Sequence, residues 1–176
     1  MPTNPLVLRI GLTLFSIVVY AILAALVETL EAVEGIPEAG VWFHYVVGGV
    51  FGALVLAQFI GPQQRVVRFA ALCVTGAVIY YLAVRFVTDG PIGYDMIASF
   101  ILAGSAAALL SGLAVVLIAP QAFSWKLLPL TLAAGALGGA AFDLKFSFDQ
   151  TLLIGHALWQ LLVCLALSLS FRDAPT

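Results

Sequence analysis

Apolar residues fill this chain in six blocks, and each block stops where charges, prolines and glycines collect. The blocks cover about residues 6–30, 41–60, 66–88, 96–118, 125–142 and 149–171. Each comes close to the ~20 residues that a helix needs to cross a hydrocarbon layer of about 30 Å. None shows the ten-residue alternation of a membrane β-barrel strand. The pattern therefore predicts an all-α fold, an integral membrane bundle of six transmembrane helices forming one domain over residues 1–176. The breaks have ordinary turn chemistry. Glu28, Glu31 and Glu34 carry the first helix into water, and Gly35 and Pro37 end it. Gly61-Pro62, the TDGPIGYD segment at 88–95, and Pro120 close the next three. The fifth helix is short for a full crossing unless Trp125 and Lys126 lie in the interface.

Composition agrees. The chain has 176 residues, 63% of them hydrophobic and 9% charged, with a mean hydropathy of +1.14; soluble domains carry about 25% charged residues. The lipid bilayer is thus the expected partner. A net charge of −2 leaves no basic patch for phosphates, so no nucleic-acid partner is expected. The first block runs on into acids without a small-residue cleavage site, which reads as a retained helix rather than a signal peptide. Placing the N-terminus in the cytoplasm returns the C-terminus there after six crossings. Arg9, Arg65, Arg68, Lys126 and Arg172 then lie inside, and only Arg85 and Lys145 outside, as the positive-inside rule requires. The expected location is the cell membrane, the inner one in a Gram-negative cell. Cys73 and Cys164 sit in separate blocks without metal or disulfide spacing and read as reduced thiols. At an offset of 58, Ile60-Gly61-Pro62-Gln63 echoes Ile118-Ala119-Pro120-Gln121, compatible with helices two-three and four-five being related hairpins.

Polar residues inside the blocks mark the candidate chemistry. In the last block Asp149, His156 and Gln160 fall near one helix face, with Trp159 beside them. Such groups at depth need protein, water or a ligand. In the deduced topology His44, Glu28, Arg85, Asp95 and Asp143 share the outer half with His156. Converging, they would form an outward polar cup for a small polar or zwitterionic molecule, Arg85 taking a carboxylate and the acids or aromatics a cation. The plainer readings are an Arg85–Asp89 pair one turn apart, an interfacial His44, a solvated glutamate end and a structural hydrogen bond at His156. If a metal is held, His156 and His44 are its first candidates. The small residues of helices four and five, AGSAAALLSG and AAGALGGAA, predict close helix packing, with a partner membrane subunit or a second copy as the expected occupant.

Two likenesses bear on function. GHALWQLL, residues 155–162, resembles the last-helix H-x-x-W-H motif of the CREST membrane hydrolases, the group containing alkaline ceramidases and progestin/adipoQ-type receptors. That resemblance implies a zinc-dependent hydrolase with His156 as a ligand. The second histidine of the motif is Gln160 here, no Ser-x-x-x-His occurs in an early helix, and six crossings replace the family's seven. In size, crossings and an Ala21-x-x-x-Ala25 in helix one, the chain is also similar to the substrate-capturing subunits of energy-coupling-factor transporters. The expected function is therefore a small-molecule transporter or the substrate-binding membrane subunit of one. A non-catalytic subunit or assembly factor is the next reading, and a metal-dependent membrane hydrolase the third.

Overall fold

The computed structural model describes residues 5–34, 39–60, 65–89, 96–118, 124–143 and 148–171. They form six helices: α1 (Pro5–Glu34), α2 (Ala39–Leu54), α3 (Arg65–Asp89), α4 (Met96–Ile118), α5 (Leu127–Ala140) and α6 (Phe148–Ser170). Among the described residues there is no strand ladder. In lipid the backbone has no water to bond with, so even Val- and Ile-rich stretches are driven into helices, which satisfy their own N–H and C=O groups. Five helices contain windows long and apolar enough to cross a membrane; α5, with 14 residues, is the shorter one. A 3₁₀ turn, Ala141–Asp143, extends it.

The second block divides. After Leu54 it passes into a 3₁₀ turn, Leu56–Phe59, without glycine or proline at the junction. The Gln58 side-chain amide donates to the Leu54 carbonyl, the acceptor that the Gln58 backbone N–H would use in a continuing α-helix. Val55, Leu56 and Phe59 are thereby turned inward and are almost wholly buried. They plug one end of the bundle with Phe171, whose ring lies 5.3 Å from that of Phe59.

Each helix packs against its neighbours in the chain, and α1 packs against α6, so the six close a ring. Lipid is as apolar as leucine, so the staves are held by close approach and hydrogen bonds rather than by expulsion of water. Glycines make the approach. A Cβ on Gly48 would stand 2.5 Å from the Gly76 carbonyl oxygen, and one on Gly52 would stand 2.9 Å from Cys73 Cα, so α2 and α3 touch backbone to backbone. A Cβ on Gly104 would stand 2.5 Å from the Gly135 carbonyl oxygen, and one on Gly139 would be 2.9 Å from Ile101 Cα, which joins α4 to α5 in the same way. Gly138 admits the backbone of Trp159 on α6. The glycines of the small-residue stretches in α4 and α5, Gly104, Gly135 and Gly139, are therefore engaged within the chain. Large apolar side chains such as Phe15, Val74, Leu117 and Leu137 point outward.

Candidate functional site

The register of α6 against α1 and α3 builds an aromatic chamber around one histidine. His156 is 6% exposed. Gly155 lets α6 sit directly on the Phe142 ring, which meets the imidazole edge-on at 6.0 Å. Tyr20 of α1 stacks on its face, with ring centroids 4.1 Å apart and an interplanar angle of 10°. Tyr80 of α3 stands edge-on at 4.9 Å, its hydroxyl 3.3 Å from Nδ1. Nε2 is buried with no hydrogen-bond partner in the protein. A neutral imidazole carries one N–H. If Tyr80 donates to Nδ1, Nε2 presents a donor; in the other tautomer it presents a lone pair. Either way the open nitrogen lies buried among aromatic rings.

His44 of α2 joins the same cluster through Tyr80, at 5.9 Å between rings, and through Phe43, at 5.4 Å; its Nδ1 is also buried without a partner. Phe43 in turn touches Tyr20 at 5.6 Å. One turn further along α6, Gln160 is 1% exposed with an unpartnered Oε1. Trp159 has a different task. Its Nε1–H donates to the Gly104 carbonyl at 3.1 Å, tying α6 to α4, and its ring lies 5.2 Å from Phe51.

Of the residues singled out from sequence, His156, His44, Gln160 and Trp159 are thus gathered in the interior. Arg85 is not. Its exposed guanidinium pairs with Asp89 at 2.5 Å, the one-turn pairing its spacing allows. Its charge is felt instead by Tyr45, which stacks on Tyr81 with rings 4.5 Å apart and touches the exposed Trp42. The side chains of Glu28 and Asp143, and the whole of Asp95, lie outside the described residues, as does the side chain of Asp149. Tyr20, Tyr80 and Phe142 were not anticipated. For Tyr20 the available signal was its spacing from Ser16 and Thr13, four and seven residues, which places three hydroxyls on one side of an otherwise apolar helix.

Among the described residues no group of three His, Cys, Asp or Glu lies close enough to hold a metal ion. The donors near His156 are hydroxyl, amide and imidazole groups, suited to hydrogen-bonding an uncharged molecule between aromatic faces. No family model, curated protein or solved structure matches the chain, so both likenesses drawn from its sequence rest on the quoted residues alone.

Proposed function

We propose that the chain crosses the cell membrane six times with both termini in the cytoplasm, and that its outer-half chamber captures a small molecule. On this reading it is a transporter or the substrate-binding membrane subunit of one. The observation that carries the reading is the open Nε2 of His156, buried inside a cage contributed by α1, α3, α6 and the turn after α5. A purely structural histidine would bond through both nitrogens to neighbouring helices. The chamber's neutral donors and acceptors favour an uncharged, planar ligand over the zwitterion that Arg85 would have served. Partner contact through α4 and α5, if used, falls to their outward residues, because Gly104, Gly135 and Gly139 are engaged within the chain.

The test is a thermal-unfolding screen of the purified protein against small heteroaromatic compounds, amino acids and sugars. A ligand present at a hundred times its Kd stabilises the native state by about 2.7 kcal/mol. His156→Phe keeps an aromatic ring but removes both nitrogens, and should abolish that shift. A hit that stabilises the variant equally removes the chamber as the site. Reporter fusions at both termini test the orientation, and an outward signal at either end refutes it.

A further inference from the structure

Six buried side-chain N or O atoms among the described residues have no hydrogen-bond partner in the protein: Ser16 Oγ, His44 Nδ1, Gln58 Oε1, His156 Nε2, Gln160 Oε1 and Ser168 Oγ. Their distribution is uneven. All lie on α1, on α6, or on α2 and its 3₁₀ turn, the three segments that meet where the ring closes. On α6, His156, Gln160 and Ser168 belong to one row with Cys164, each four residues from the next. Such i, i+4 rows form a continuous ridge on a helix, here rising about 6 Å per step. Gln160 and Cys164 are each 1% exposed, so the ridge faces inward. Across from it, α1 buries Thr13, Ser16 and Tyr20.

The two helices are tied in register at both ends. Tyr20 stacks on His156 at one end. At the other, Gln58 reaches the Arg9 carbonyl at 3.5 Å, the Arg9 guanidinium lies 4.6 Å over Phe59, and Phe59 meets Phe171. From Arg9 to Tyr20 is about 16 Å along α1, and from His156 to Ser168 about 18 Å along α6. On α6 the orphaned atoms therefore span about 18 Å of a bilayer core of about 30 Å. Thr13 differs from them, since its hydroxyl donates to the Arg9 carbonyl at 2.9 Å. Buried polar atoms are almost always bonded, to water where protein supplies nothing.

We propose that the seam closed by α1 against α2 and α6 is a hydrated path for water and small uncharged hydrogen-bonding solutes. It runs from the chamber at His156 past Gln160, Ser16 and Cys164 to Ser168 and Gln58. Its lining is made of hydroxyl, amide, imidazole and thiol groups, and the Arg9 guanidinium lies only at its Gln58 end, over Phe59. The path extends beyond ligand capture at the chamber and does not depend on it.

Native Cys164, midway along, reports on the path without any substitution. The wild-type protein in lipid nanodiscs is treated with hydroxyethyl methanethiosulfonate, a small neutral reagent, and adducts are timed by peptide mass spectrometry. The reacting species is the thiolate, which forms in water and is suppressed in apolar surroundings. Cys164 should react at least about tenfold faster than a cysteine at the adjacent lipid-facing position, Leu165→Cys in a Cys164→Ala background. Equal rates, or a Cys164 that stays unmodified in the folded protein, overturn the path. Hydroxyl-radical footprinting of the unaltered protein provides a second reading. Oxidation of Cys164 and His156 above that of equally buried Phe51, normalised for intrinsic reactivity, supports the path, and uniform protection overturns it. Neither measurement uses a ligand, so failure here leaves capture at the chamber untouched.

Discussion

Gly135→Ala should force α4 and α5 apart and destabilise the bundle. The added Cβ would stand 2.6 Å from Ser105 Cα and 2.8 Å from the Gly104 carbonyl carbon, where ordinary contact begins at 3.4 Å. The obstacle is backbone, which has no rotamer to retreat into, so a whole helix must shift by most of an ångström. That shift also loosens the Gly104 and Gly139 contacts along the same seam. Overpacking of this kind costs about 1–3 kcal/mol. Alanine's better helix propensity returns about 1 kcal/mol, and the rigid obstacle places the penalty toward the upper end, for a net loss of about 1–2 kcal/mol. The matched control is Gly11→Ala, on α1, where a Cβ meets nothing within 4 Å; it should be neutral or stabilising by up to about 1 kcal/mol. Unfolding of both variants by SDS titration in mild detergent, followed by tryptophan fluorescence, compares them directly. Adding Gly104→Ala to Gly135→Ala should cost less than the sum of the two, because one separation relieves both clashes. A Gly135→Ala protein as stable as Gly11→Ala would refute the backbone-contact argument.

Three further outcomes are expected in the same assay. Trp159→Phe removes the interhelical bond to Gly104 and should cost about 1 kcal/mol, in the range of such bonds in membranes; an unchanged midpoint would mean that the indole N–H is not a tie between α6 and α4. Tyr80→Phe and His156→Phe should be non-additive by about 0.5–1.5 kcal/mol, since both remove the same hydroxyl–Nδ1 contact; strict additivity would show that the two groups do not interact. Arg85→Gln should change stability by less than about 0.5 kcal/mol, and less still in high salt, because its pair with Asp89 is half exposed; a large loss would place Arg85 in the interior network after all.

The helices were legible because lipid makes length and apolarity nearly sufficient: the fourth block and α4 coincide at Met96–Ile118. The break after Leu54 was not, because it depends on one glutamine side chain competing for a carbonyl, with no turn residue to announce it. His156 and Gln160 were legible as polar groups deep in an apolar helix, and both are buried. Their cage was not, since Tyr20 and Phe142 read as ordinary aromatics until the order of helices around the ring is known. Arg85 illustrates the same limit from the other side. Its depth allowed a role in the cup, and its spacing allowed the pair with Asp89; only geometry separates the two.

The ring is closed by α1 against α6, two helices far apart in chain order. During synthesis α1 must therefore wait with Ser16 and Tyr20 uncovered until α6, much later in the chain, is made. Its window is the most hydropathic of the five spanning candidates, which lets it insert on its own strength and tolerate that interval. Thr13 returns its hydroxyl to its own helix and needs no companion meanwhile. The late arrival of α6 then does two jobs at once: it covers the polar flank of α1 and completes the chamber. A chain truncated before His156 would leave that flank exposed, giving membrane quality control a ready mark by which to recognise unfinished molecules.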